Sequence, residues 1–210
     1  MRRLGLLGGT FDPIHMGHLD VARAAADALR LEEVRLTPVH IPSHRAAPGA
    51  SPFHRFAMVS LAAATDARLM ASDDELTRGG ASFTADTLRA LHVEGWTASQ
   101  LFFLSGADAF AEIATWKDYP ALLDLAHFVV CSRPGREAGL VRGLLPELAD
   151  RMTEAREFVD DGVTRIVLLD AATADVSASG IRGTLESGGS IDGMVPPAIA
   201  AHIQKHGLYR

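Results

Sequence analysis

The sequence predicts an α/β fold: a doubly wound, mostly parallel sheet with helices on both faces and a small C-terminal helical part. Three observations predict it. Short apolar runs of strand length alternate with longer runs of helical composition along the chain. The first strand-like run passes straight into a glycine-rich turn and then an alanine-rich helical run. Residues suited to phosphate or nucleotide recur after five of the strand-like runs, at the sheet edge where such folds bind ligands.

Taken in order, the strand-like runs are Arg3–Leu7, Glu33–Pro38, Arg68–Ala71, Gln100–Ser105, His127–Cys131 and Thr164–Leu169. The helix-like runs are Met16–Arg30, Phe53–Ala64, Thr84–Glu94, a broken segment from Ala109 to Leu125, Glu137–Ala155, and two near the C-terminus. No repeat or low-complexity linker interrupts them. The 210 residues suit one domain over residues 1–210, with a C-terminal helical part from about residue 177 to 210.

Composition narrows the function. Apolar residues make up 48%, enough for a sizeable core, and a net charge of −6 gives no basic field for a nucleic-acid polymer. The single cysteine, Cys131, sits in an apolar strand-like run and reads as a packed thiol. No stretch has the length of a signal-peptide core or a membrane span, so a soluble cytoplasmic protein is expected.

The turn after the first strand-like run is Gly8-Gly9-Thr10-Phe11-Asp12-Pro13-Ile14-His15-Met16-Gly17-His18. Strand, glycine turn and helix start together deliver backbone N–H groups to an anion. Gly8 and Gly9 let a ligand approach the backbone, Thr10 adds a hydroxyl, and Pro13 stiffens the turn. His15 and His18, three apart, share a helical face and can stabilise charge on a phosphoryl group. An NTPase phosphate loop needs G-x-x-x-x-G-K-[ST], which is absent. The dinucleotide fingerprint is misspaced, and no acid ends the second strand-like run. Two histidines without a nearby cysteine or third ligand are thin for zinc, so no metal ligands are assigned.

Further along, His40, His44 and Arg45 follow the second run, and the loop 40–52 reads either as a closing active-site loop or as plain surface. Gly106 and Asp108, then Trp116, follow the fourth run, and Arg133, Pro134 and Gly135 follow the fifth. Ser177-Ala178-Ser179-Gly180-Ile181-Arg182 begins a helix after the sixth. Serines at a helix start cap N–H groups; with Arg182 they also suit a polyphosphate.

These residues resemble a known family. Gly8 to His18 is similar to the (H/T)xGH signature of the nucleotidyltransferase superfamily, and Ser177 to Arg182 to its I-S-S-T-x-I-R signature, with Ala178 and Ser179 departing from it. Nearly end to end the chain resembles the bacterial nicotinate-mononucleotide adenylyltransferases. The likeness includes Ser43-His44-Arg45, Arg55 with Met58, Ser82 to Leu88, Gly106-Ala107-Asp108, Trp116, Arg133-Pro134-Gly135 and the tail Lys205 to Tyr209.

The resemblance implies a Rossmann-like fold and adenylyl transfer from ATP to nicotinate mononucleotide, with Mg²⁺ carried by the ATP phosphates. It implies catalytic roles for His15 and His18. It gives Gly8, Gly9, Thr10, Phe11, Gly106, Asp108, Ser177, Ser179, Ile181 and Arg182 to ATP. It gives His44, Arg45, Ser82, Phe83, Thr84, Trp116 and Arg133 to the mononucleotide. Thr84 is expected to cap its helix, and Asp86 to point away from the pocket. No membrane partner is expected, and a homo-oligomer is compatible with the sequence. Two other readings stay open: a non-catalytic nucleotide-binding regulator, and a transferase with another or a broader acceptor range.

Overall fold

The structure, a computed structural model, describes residues 2–42, 47–132, 135 and 137–210. Its first half contains β1 (Leu4–Gly9), α1 (Met16–Leu29), β2 (Glu33–Pro38), β3 (Ile41–Pro42), α2 (Pro52–Ala63), β4 (Leu69–Ala71), α3 (Asp74–Arg78), β5 (Ala81–Ser82) and α4 (Thr84–Val93). The second half contains β6 (Leu101–Gly106), α5 (Ala107–Phe110), β7 (His127–Cys131), α6 (Val141–Leu144), β8 (Met152–Glu154), β9 (Ile166–Leu169), α7 (Ala178–Glu186) and α8 (Pro197–His206).

Seven strands form one sheet in the order β4-β2-β1-β6-β7-β9-β8. Every adjacent pair in this sheet is parallel. The chain lays β2 and β4 to one side of β1, then returns to lay β6, β7 and β9 on the other. Strand order reverses between β1 and β6, and the carboxyl ends of those two strands frame the crevice where such sheets take ligands.

A wholly parallel sheet must be covered on both faces, and side-chain alternation along the strands does this. Leu6, Phe103, Phe128, Val130 and Leu168 face a core shared with Leu88 and Leu91 of α4, Phe110 of α5 and Val141 of α6. Their neighbours Leu7, Phe102, Leu104, Val129 and Val167 face the opposite core, with Leu19 and Ala22 of α1, Met58 of α2, Ile181 of α7 and Ile199 of α8. Cys131 is buried on β7 as a packed thiol. Among the described residues no helix is long and apolar enough to cross a membrane.

The six expected strands are present within two residues of their expected ends. The helix expected over Glu137–Ala155 is not. That stretch holds short helical turns, the four-residue α6 and the strand β8, whose Met152 pairs with Ile166. Pro146 explains the break: it has no N–H to give and forces Leu145 out of the helical region, to φ −129° and ψ 64°. The two-residue strands β3 and β5, too short to leave a sequence pattern, pair in parallel outside the main sheet.

His127 begins β7 fully buried, stacked on Phe102 at 4.7 Å, with Nδ1 accepting the Arg165 N–H at 3.0 Å. Burial pushes its pKa down from 6.5 to about 4, against the pull of the Asp160 carboxylate. Between those values the unfolded chain takes up a proton that the folded chain refuses. Stability is therefore complete above pH 6.5 and falls as pH drops toward 4, by up to about 3 kcal/mol. Urea denaturation from pH 7 to 4 should show this slope, and His127→Asn, which keeps an acceptor near Nδ1, should flatten it. An unchanged slope in His127→Asn would assign the acid sensitivity elsewhere.

Candidate active site

The carboxyl end of β1 turns sharply into α1. Phe11 takes φ 49°, in the left-handed region that bulky residues rarely enter, and its ring is almost fully buried. Gly9 accommodates that ring: a Cβ there would lie 2.9 Å from the Phe11 Cε1. Gly17 serves packing in the same way, since a Cβ would meet the Ala174 carbonyl at 3.2 Å and the His15 ring at 3.3 Å.

His15 is the residue before α1, with extended backbone, and its N–H donates to His18 Nδ1 at 3.3 Å. A ring nitrogen that accepts carries no hydrogen, so neutral His18 holds its proton on Nε2. The two imidazoles stack at 3.7 Å between centroids, and Phe11 meets the His18 ring edge-on at 5.0 Å. The pair is thus one rigid unit on the first turn of a helix, with the helix dipole behind it.

Asp12 ties this turn to three distant parts of the chain. Its buried carboxylate accepts the Gly49 N–H at 2.7 Å, the Ala50 N–H at 3.0 Å and the Tyr209 hydroxyl at 2.7 Å. Arg182 lies 3.8 Å from the same carboxylate and donates to the Asp12 carbonyl at 2.8 Å. Tyr209 is pushed well above its ordinary range by burial, then by its bond to Asp12 and by that group's charge. Beside it, fully buried Arg55 donates to the carbonyls of Thr10 (2.8 Å), Val39 (2.7 Å) and His40 (3.2 Å). Burial lowers the Arg55 pKa, and the charge of the Asp12 carboxylate opposes the shift.

Arg182 brings the second motif to the first. Ser177 precedes α7 and caps it, with Oγ accepting the Gly180 N–H at 3.1 Å and lying 3.3 Å from Ser179 Oγ. Both serines are exposed. Ile181, expected among the ATP-binding residues, is fully buried with its N–H bonded to the Ser177 carbonyl. Its side chain anchors α7.

At the end of β6, buried Gly106 precedes α5 and exposed Asp108 lies in the first turn. Trp116 is half-buried, edge-on to Phe103 at 5.8 Å. Lys117 fastens its turn to α4: Nζ bonds both Asp86 oxygens, at 2.8 and 2.9 Å, and sits 4.9 Å from the Phe83 ring centroid. Thr84 does not cap α4. The cap position belongs to Phe83, which has no side-chain acceptor, and Thr84 is the first helical residue. Pairing of β3 with β5 causes the shift, since Ser82 is held in a strand with Oγ accepting the His40 N–H at 2.9 Å. His44, Arg45 and Arg133 lie outside the described residues.

Sequence reasoning gave no role to Asp12, Arg55 or Tyr209. A signal existed for the first: an acid inside a turn of glycine, proline and apolar residues must find donors if it is buried.

Residues 6–184 match the cytidylyltransferase-like family model. A probable nicotinate-nucleotide adenylyltransferase of Chromobacterium violaceum is 41% identical over 215 residues, covering 99% of each chain. One from Pseudomonas syringae pv. tomato is 40% identical over 209 residues, covering 100% of this chain and 94% of its own. Among solved structures, the nicotinic acid mononucleotide adenylyltransferase of Plasmodium falciparum complexed with APC superimposes with a TM-score of 0.74. It is 16% identical, over 100% of this chain and 98% of its own, a likeness of fold.

The Asp12 contacts predict a measurable coupling. Tyr209→Phe should cost about 1.5–3 kcal/mol, as for a hydrogen bond to a charged group. Asp12→Ala should cost about 3–5 kcal/mol by stranding its partners. In an Asp12→Ala background the Tyr209→Phe cost should largely vanish, read by urea denaturation in a double-mutant cycle. Additive costs would mean that the hydroxyl acts through something other than Asp12.

Proposed function

The chain belongs to the cytidylyltransferase-like family, and we propose that it transfers the adenylyl group of ATP to nicotinate mononucleotide. The products are deamido-NAD and pyrophosphate, a step of NAD biosynthesis. The acceptor is supported by the relatives' names over the full chain length. The observation that carries the reaction class is the Arg182–Asp12 contact, which sets the serine helix start against the histidine turn.

In this reading a phosphate oxygen of the mononucleotide attacks the α-phosphorus in line. The new O–P bond forms as the bond to the bridging oxygen of pyrophosphate breaks. The nucleophile is already anionic, so no side chain need take a proton, and catalysis reduces to positioning and charge stabilisation. Holding two reactants in register can supply about 7–11 kcal/mol. His18 would donate from Nε2, and His15 from beside it, to phosphate oxygens that gain charge as pyrophosphate leaves.

Arg182, Ser177 and Ser179 would hold the β- and γ-phosphates. Gly8, Gly9, Thr10 and Phe11 would line the nucleotide's approach, and Gly106 and Asp108 would serve the adenylyl ribose. A divalent cation, Mg²⁺ by preference, would supply charge neutralisation on the phosphates. The donor set fits a cation held mainly by phosphate and water, because the Asp12 carboxylate is already taken up by protein donors.

On the acceptor side, Trp116 would stack on the cationic pyridine ring, with His44, Arg45 and Arg133 about the mononucleotide. The start of α4, with Ser82, Phe83 and Thr84, would take the nicotinate carboxylate. Two observations support this. No side chain caps α4, so its first amides keep their preference for an anion, and Lys117 compensates Asp86.

Pyrophosphate release from ATP should be measured across a panel of phosphorylated acceptors. Nicotinate mononucleotide should exceed nicotinamide mononucleotide in kcat/KM by at least about tenfold. Equal values would indicate a dual-specificity enzyme, release only with another acceptor of the panel a transferase of different specificity, and release with no acceptor a nucleotide-binding regulator. In the same assay His18→Ala should lower kcat about a hundredfold with the fold intact. Arg182→Ala should raise the KM for ATP. Unchanged kinetics in either variant would remove that residue from the mechanism.

A further inference from the structure

Away from the histidine turn, the helices α2 and α8 bring three more imidazoles together. His202 and His206 are four apart on α8, so they share one face, one turn apart. His54, in the first turn of α2, faces them from the neighbouring helix. Its Nδ1 lies 3.1 Å from His202 Nε2, and its ring centroid lies 4.9 Å from that of His206. The His202 and His206 rings are 4.5 Å apart, and one nitrogen from each of the three lies within 4.8 Å of the others. Beneath the trio, Met58 and Val59 of α2 and Ile199 and Ile203 of α8 are buried in one core, which fixes the two helices against each other.

We propose that His54, His202 and His206 form a three-imidazole site for a first-row transition metal, with Zn²⁺ the natural occupant and the fourth position open to water. Two histidines a helical turn apart, joined by a third ligand from elsewhere, are a recurrent zinc arrangement. Tetrahedral zinc with Zn–N bonds of about 2.0–2.1 Å places its nitrogens about 3.3 Å apart. One pair already stands near that spacing. His206 is exposed and His54 and His202 are half-buried, so side-chain rotation can bring the rest in. The all-nitrogen donor set selects against Mg²⁺ and Ca²⁺, which want oxygen, so this site is chemically separate from any phosphate-borne cation.

The site's position gives it a structural consequence. His54 adjoins Arg55, which holds the carbonyls of Thr10, Val39 and His40. His206 lies three residues before Tyr209, which bonds Asp12. A metal bridging α2 and α8 would clip the C-terminal helix over the same turn from a second point.

The test uses the untagged full chain and the metal alone. Calorimetric titration with Zn²⁺ should give one site per chain at micromolar or tighter affinity, and Co²⁺ should give the visible absorption of a tetrahedral complex. At free Zn²⁺ a hundredfold above Kd, Tm should rise by about 5–10 °C. His202→Gln and His206→Gln should each weaken binding at least about tenfold and, at the same free Zn²⁺, cut the Tm rise to about half or less, while leaving the metal-free Tm close to that of the parent. His206→Gln, at an exposed position, keeps the test decisive if the other variant folds poorly. No binding at micromolar Zn²⁺ would overturn the proposal. So would undiminished binding in His206→Gln, which would place the metal on other histidines.

Discussion

The buried carboxylate of Asp12 is the interaction on which the rest of the site depends. An isolated charge at such depth would cost several kcal/mol, so its burial stands only because donors converge on it. Those donors come from the 49–50 segment before α2, from α7 and from the residues after α8. One side chain in the β1–α1 turn thereby fixes where three other pieces of chain sit. Arg55 does the complementary task from beneath, gathering three carbonyls around a buried cation. The turn that presents His15 and His18 is clamped from both sides by charge-assisted bonds, which are shorter and stronger than neutral ones.

What the sequence made legible follows the range of the physics. The strands were readable because a sheet covered on both faces requires unbroken apolar runs, as in Leu101 to Leu104 and Phe128 to Cys131. The histidine turn was readable because its glycines, proline and histidines are contiguous and act on one another locally. Residues 137–155 misread because apolar content alone does not separate a helix from short turns leading into an edge strand, and Pro146 and two glycines outweigh it. Thr84 misread for a related reason: helix propensity placed a hydroxyl at the cap, but a two-residue strand pairing moved the boundary by one.

The site was legible in part. The residues proposed to face phosphate lie after the strands of an alternating pattern, so their common sheet edge could be inferred. Contacts that join them could not, because Asp12 meets Arg182 at a separation of 170 residues and Tyr209 at 197. No local periodicity records such a pair. The histidines of α2 and α8 show the same limit, since His54 sits 148 residues away from His202.

The separation between Asp12 and Tyr209 also sets an order of events during synthesis. The first turn is made early, and its last partner follows 197 residues later. At about 5–20 residues per second, that is a wait of roughly 10–40 s. Throughout this interval the parallel sheet can begin to assemble on β1, but the Asp12 carboxylate has no hydroxyl to meet. Closure of the turn by Tyr209 is therefore a late event, coupled to arrival of the segment beyond α8 rather than to formation of the sheet.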